Sequence, residues 1–449
     1  MIRPILQVSA AVGALALIPV TTGAMASVDT SSYRELDAFM DVYTRVKAAY
    51  VEKVDDKTLI QGAIDGMLAS LDPHSSYVDA LAFDNLRLQT DGNYGGLGLS
   101  VTMEDGAVKV ITPTEDTPAW KAGIKAGDYI THLDGKLIYG GTLDEAITQM
   151  RGAPGTKITV RIVRPGRDKP FDVALVRETI IQKAVKWEVQ DGIGILNINT
   201  FSATTASDMR AGIAAIEKQL GGKPKGYVID LRGNGGGLLN QAIEVSDAFL
   251  THGEIVSQRG REKSDIERWY AESAIRGDLT RGVPLVVLVD AGTASASEIV
   301  AGALQDHHRA LVLGEKTFGK GSVQSLLQLG PRTALRLTTA RYYTPSGKSV
   351  QEGGIEPDIA VPQISDPDYK TRPVFREADL RRHLINETKV DNAVLEEDTK
   401  TDPRFAATAE ELEKKGIKDF QLHYALQTIA RTATPARMAA GGATKAGTR

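Results

Sequence analysis

The chain contains no cysteine. That absence removes disulfides, thiol nucleophiles and any zinc site built on thiolates, so its chemistry must run on oxygen or nitrogen groups. It also lacks an excess of charge. Lys plus Arg number 53 against 57 Asp plus Glu, a net charge of −4, which gives no electrostatic ground for a nucleic-acid partner. The apolar run at the N-terminus, residues 5–18, falls short of the ~20 residues a spanning helix needs. What remains is an average soluble composition, 42% hydrophobic and 24% charged, which excludes a wholly disordered or collagen-like chain. Its 449 residues leave room for about three domains.

The first 26 residues read as a secretory signal peptide. Arg3 supplies the positive start, the apolar run follows, and Ala24, Met25 and Ala26 form a small-x-small cleavage site. The mature chain is expected to begin near Ser27 and to work in the periplasm or otherwise outside the cytoplasm. The competing reading is an uncleaved membrane anchor. A lipid anchor on cysteine is excluded by composition.

Apolar residues then fall at helical spacing. Leu36, Phe39, Met40, Tyr43, Val46 and Tyr50 form one stripe; Ile60, Ile64, Met67, Leu68 and Leu71 form a second, ended by Asp72 and Pro73. This predicts a helical hairpin that packs on something else. Between residues 91 and 177 the pattern changes to short strands with glycine turns, at 97–103, 107–112, 129–133 and 158–163, around one helix at 143–150. From residue 181 buried-strand runs at 194–198, 226–231, 285–289 and 310–313 alternate with helical patterns at 206–220 and 295–304. That alternation predicts an α/β layer fold with parallel pairing. Beyond about residue 364 the chain is charged and less regular, and from Thr432 it reads as disordered.

Three segments of the α/β region carry chemistry. Strand residues 227–231 run into Arg232, Gly233, Asn234 and the glycines 235–237, a turn whose exposed N–H groups can hold an oxyanion. A nucleotide loop is excluded there, because no Gly-Lys-Ser/Thr follows and Leu238 stands where a dinucleotide fingerprint wants its last glycine. Ser295 sits at a strand-to-helix turn, near free N–H groups and the positive helix end. Ser295 with Glu298 also reads as a plain capping box. Lys320 lies between Gly319 and Gly321. Desolvated there, its amine falls below its ordinary pKa and can take a serine proton; a solvated turn lysine is the alternative. Gln324, four residues on, shares its face and can orient the amine. A Ser-His-Asp triad fails on distance: His307 lies on the same helix as Ser295, about 18 Å along it. The same geometry separates Asp306 from Ser295, and no Gly-x-Ser-x-Gly elbow is present.

These residues resemble the carboxyl-terminal processing peptidases, also called tail-specific proteases. Ser295 with Glu298 and Ile299, Phe318 to Gly321 with Val323 and Gln324, Leu71 to Tyr77, and Asp230 to Gly237 carry the resemblance, over roughly residues 36–365. It implies a multidomain α/β and β architecture. The expected parts are a signal peptide (1–26), a helical N-terminal segment (27–84), a PDZ-like domain (85–178), a crotonase/ClpP-like α/β serine protease core (179–365) and a partly disordered extension (366–449). It implies Ser295 as nucleophile, Lys320 as general base, Gln324 as third member, and an oxyanion hole from the Ala296 N–H and a glycine of the 235–237 turn, assigned to Gly236. Some members have been assigned an Asp at the position of Asp306; the distance to Ser295 gives it a structural role. The chain departs from the pattern at Gly235, where many members have proline, and at Asp290 and Ala291.

The PDZ resemblance agrees with the residues. Gly96, Leu97, Gly98 and Leu99 form a glycine turn entering a strand, suited to capturing a peptide carboxylate and pairing with its backbone. Leu143, Ile147 and Met150 share a helix face and can wall a pocket for the last side chain, although core packing serves Met150 equally well. The expectation is an exported serine endopeptidase that binds apolar protein C-termini and cleaves upstream, without metal or cofactor. A homo-oligomer through the N-terminal helices is expected, and the need for an adaptor protein is open. Rival readings are a non-catalytic PDZ scaffold or holdase, and an acyl-thioester enzyme on the crotonase-like fold.

Overall fold

The computed structural model describes residues 30–433 apart from 91, 105, 139–142, 168, 182, 273–276, 373 and 388–402. The signal-peptide segment and the mature start near Ser27 lie outside the described residues. Two compact units divide at Gly66. In the first, helices Thr30–Ala49 and Asp56–Ala69 form the expected hairpin, the second helix running on past the division. The Asp56 carboxylate accepts the Tyr43 hydroxyl at 2.7 Å and pairs with Lys47. The first stripe stays in water: Leu36 is 55% exposed and Met40 51%.

Within the second unit, the β module is an antiparallel sheet whose strand order runs Leu99–Glu104, Ala107–Pro113, Tyr129–Leu133, Lys157–Val163, Phe171–Val176. In Lys157–Val163 alternate residues Ile158, Val160 and Ile162 are buried, the period-two signature of a half-covered strand. Strand Leu99–Glu104 pairs on one side only, with Ala107–Pro113. Its other edge is open among the described residues.

A six-stranded sheet forms the α/β core, ordered Val185–Gln190, Ile193–Ile198, Tyr227–Asp230, Leu285–Val289, Leu311–Gly314, Ile359–Ala360. The first pair is antiparallel and the rest are parallel. Parallel strands are covered on both faces, which is why Leu285–Val289 is apolar and buried throughout. On one face Ile229, Val287 and Val289 meet Met209, Ile216, Val245, Val300 and Leu304 from helices Thr205–Leu220, Leu239–Asp247 and Ala296–Asp306. The opposite face, with Val228, Val286 and Leu288, needs a second cover. Helices Ala409–Lys414 and Phe420–Ala433 supply it through Leu412, Phe420, Leu426 and Ile429. This part of the extension thus belongs to the core, its helix including Thr432 and Ala433; the rest of the stretch expected to be disordered, residues 434–449, lies outside the described residues. A second antiparallel sheet joins Ser76–Val78, Thr333–Tyr343, Glu254–Arg259 and Ile266–Tyr270, with Ser322–Gly330 along the other edge of Thr333–Tyr343. It brings the 71–77 segment beside the Lys320 loop.

Candidate active site

Ser295 caps helix Ala296–Asp306 directly after strand Leu285–Val289 and a tight turn. The turn is fixed from within: Asp290 Oδ1 accepts the Gly233 and Gly292 N–H groups, each at 2.9 Å, and the Thr293 hydroxyl donates to the Leu231 carbonyl at 2.9 Å. Ser295 itself has φ +56° and ψ −114°, a conformation that a residue with a Cβ adopts at a cost of about 1–3 kcal/mol. Its hydroxyl makes no side-chain cap hydrogen bond. The Glu298 arm of the capping box is made, with Glu298 Oε2 accepting the Ser295 N–H at 2.7 Å.

Glu298 does more than cap. Its fully buried carboxylate also accepts the Thr317 hydroxyl at 2.5 Å, the Gly319 N–H at 2.7 Å and the Lys320 N–H at 2.9 Å. Burial pushes this carboxyl up to about 7, against the pull of those four hydrogen bonds. The result is one acceptor that holds the backbone of Ser295 and of Lys320 together. Sequence reasoning saw Glu298 only as a cap; nothing in its spacing announces the link to residues 317–320.

Lys320 is half-buried in the loop before strand Ser322–Gly330. Burial holds its amine below the ordinary lysine value, opposed by the negative charges of Glu377, Glu298 and Asp72 and assisted by Arg336. Gln324 sits two residues into the strand, and its amide nitrogen donates to the hydroxyls of Ser322 at 2.9 Å and Thr338 at 3.4 Å. No hydrogen bond joins it to Lys320. Asp306, at the far end of the serine helix, accepts the Ser346 N–H at 2.9 Å.

The glycine turn lies against the serine. Gly236 has φ +100°, and a Cβ there would come within 2.9 Å of both Ser295 Cβ and Ala296 N. Only glycine permits that approach. The assignment of Gly236 as oxyanion donor needs correction, because its N–H is already given to Asn234 Oδ1 at 2.9 Å. Asn234 in turn donates to the Ile198 carbonyl at 2.7 Å. The N–H groups of Gly235, Gly237 and Ala296 have no acceptor among the described residues. Beside Gly235 and Ala294 opens a cleft of about 500 Å³, walled by Phe318, Val374 and Phe375 with Arg372 at its side.

In the β module, Gly96, Leu97, Gly98, Leu99 and Ile147 line a single cavity of about 140 Å³ together with Met150. Gly98 has φ +75° and lies so close to Thr117 that a Cβ would meet its side chain at 2.3 Å. Leu143, expected in this wall, packs against the module core instead. Arg151 stacks its guanidinium over Tyr94 at 5.0 Å, at the cavity rim.

Comparisons with known proteins agree on what this arrangement is similar to. Residues 192–361 match the profile of Peptidase family S41, residues 95–175 that of the PDZ domain, and residues 19–82 that of the activating protease CtpB N-terminal domain. The carboxy-terminal-processing protease of Bartonella bacilliformis is 52% identical over 365 residues, 81% of this chain and 83% of that protein. The carboxy-terminal processing protease CtpA of Bacillus subtilis is 36% identical, over 76% of this chain and 71% of its own length. Among solved structures, the photosystem II D1 C-terminal processing protease aligns at 30% identity with a TM-score of 0.46, covering 74% of this chain and 88% of that one.

Proposed function

This chain belongs to the carboxy-terminal processing proteases of peptidase family S41, serine-type peptidases with a PDZ domain, and we propose that it cleaves through a Ser295–Lys320 dyad. The observation that carries the proposal is the shared acceptor: Ser295 N–H and Lys320 N–H both end on Glu298. Neutral Lys320 takes the hydroxyl proton as Ser295 Oγ attacks the scissile carbonyl. The same proton passes to the departing amine as the C–N bond breaks, leaving an acyl-enzyme. Water, deprotonated by Lys320, releases the acid and restores the serine. The Ala296 N–H, with Gly235 or Gly237 in place of Gly236, stabilises the oxyanion. Gln324 orders the strand that carries the lysine loop rather than the amine itself.

Substrate C-termini are recognised at the PDZ cavity. The terminal carboxylate meets the Gly96–Leu99 turn, and the peptide backbone extends the open edge of strand Leu99–Glu104. Ile147 and Met150 contact the last, apolar side chain. The protein is exported with cleavage near Ser27, and the exposed stripe of helix Thr30–Ala49 pairs with a second copy. The test of the dyad compares wild type, Ser295→Ala and Lys320→Ala on an unfolded protein with an apolar C-terminus. Loss of cleavage in both variants supports it, and cleavage by either one refutes it. Amino-terminal sequencing of secreted material tests the export site.

A further inference from the structure

The Lys320 loop is held from a direction that the peptidase profile, ending at residue 361, does not include. Residues 374–387 of the extension run back across it. Arg376 donates from Nη1 to the carbonyls of Lys316 at 2.8 Å and Thr317 at 2.7 Å, and the Glu377 N–H donates to the Phe318 carbonyl at 3.1 Å. Behind these bonds the Glu377 side chain is fully buried. His74 Nε2 lies 2.9 and 3.0 Å from its two oxygens, and Gln351 Nε2 donates to Oε1 at 3.0 Å. Since both atoms facing Nε2 are acceptors, the imidazole carries its proton there. Gln351 continues the chain, because its Oε1 accepts the Gly321 N–H at 3.0 Å.

We propose that Glu377 is a positioning residue for Lys320, a buried carboxylate that clamps the lysine loop through Gln351 and sets the charge the amine faces. This rests on the reading of Lys320 as the base. A buried carboxylate is costly unless it is paired and hydrogen-bonded, and here its two partners, His74 and Gln351, come from distant parts of the chain. His74 stands 303 residues from Glu377, so the contact exists only when the 71–77 segment and the extension are both in place, and Gln351 and the Glu377 N–H tie it to the lysine loop. The electrostatics are reciprocal. Burial pushes the Glu377 carboxyl up, but hydrogen bonds from His74 and Gln351 and the charges of His74 and Lys320 outweigh it and hold it low. Among charged groups acting on the Lys320 amine, Glu377 on the extension leads, ahead of Arg336 on the neighbouring sheet, Glu298 on the serine helix and Asp72 in the 71–77 segment. Burial lowers the Lys320 amine, and Glu377 offsets part of that effect without forming a closed ion pair.

The experiment titrates Lys320 in the full-length protein. Competitive labelling with acetic anhydride, read by mass spectrometry across pH, reports the lysine directly in Ser295→Ala and in Ser295→Ala/Glu377→Gln. Removing the negative charge lowers the Lys320 midpoint by about one pH unit. In active enzyme, Glu377→Gln moves the acid limb of kcat/KM down by the same amount, while the plateau rate falls because the base is weaker. An unmoved midpoint or limb in folded Glu377→Gln, with Lys320→Ala inactive, overturns the inference and leaves the dyad standing. An active Lys320→Ala overturns the dyad and the inference with it. Should Glu377→Gln fail to fold, Glu377→Asp withdraws the charge by one methylene, and Lys320 then titrates below wild type; an unchanged midpoint overturns the inference.

Discussion

The backbone N–H of Ser295 and the backbone N–H of Lys320 end on the same atom, Glu298 Oε2, at 2.7 and 2.9 Å. The chain between them includes the serine helix, the strand Leu311–Gly314 and a glycine loop. A single buried oxygen removes that freedom, which is what the proposed nucleophile and its proposed base require before substrate arrives.

Glu298→Gln tests this directly. A glutamine has one acceptor oxygen and turns an NH2 toward groups that now donate, so the two hydrogen bonds to the replaced oxygen are lost. We expect a loss of stability of about 1–3 kcal/mol and a fall in kcat larger than any change in KM. Denaturant titration and initial rates measure the two.

The same carboxyl makes activity and stability part company with pH. Glu298 is pushed up to about 7 from an ordinary 4.5, so the folded state binds its proton more tightly than the unfolded state. Its contribution to stability is therefore full below about 4.5 and is lost as pH rises through about 7. Protonation also removes an acceptor from Ser295 and Lys320. On lowering pH from 8 to 6, kcat falls while the melting temperature holds or rises. A parallel fall of both would be the contrary result.

Gly236→Ala meets two obstacles, a φ of +100° and atoms of Ser295 and Ala296 at 2.9 Å. It should cost at least about 1 kcal/mol and abolish activity by displacing the serine. Gly221→Ala is the control: φ is +69° but its surroundings are open, so it carries the strain alone and keeps its activity. Thermal melts and rates of the two variants separate strain from displacement.

Ile429 is completely buried in the C-terminal helix. Ile429→Ala removes cover from the second face of the catalytic sheet, at about 2–5 kcal/mol. Deleting residues 403–449 exposes Val228, Val286 and Leu288 and yields aggregated protein. Solubility and chemical denaturation decide the matter.

Ile147→Ala should weaken C-terminal peptide binding by roughly tenfold, the loss expected for one apolar contact of 1–3 kcal/mol. If the PDZ cavity serves recognition alone, KM rises and kcat is kept. Titration with an apolar C-terminal peptide and full Michaelis curves check this.

The layers of the molecule were legible where one local pattern decides them. The 285–289 run announced a buried parallel strand, and residues 158–163 alternated as a half-covered one. Ser295, Lys320 and the glycine turn stood out because polar groups sit where a buried sheet has no use for them. What escaped was long-range. Nothing local tells that Glu377 meets His74, 303 residues away; the Gly236 N–H held by Asn234, two residues apart, is by contrast a local Asx turn that the asparagine before the glycines allows. The helix Phe420–Ala433 could have been found, since Phe420, Tyr424, Ile429 and their neighbours keep helical spacing. The requirement that a parallel sheet have two covers also asked for it.

That second cover reaches as far as the serine turn. Arg232, in the glycine turn beside Ser295, donates to Asp230 at 2.6 Å and to Asp419 at 2.7 Å, joining that turn to the segment between the two covering helices. With residues 409–433 removed, the central sheet keeps Ser295 and Lys320 in the chain but stands bare on one side. The geometry of the serine turn is therefore borrowed, through Asp419, from a part of the fold that contributes no group to it.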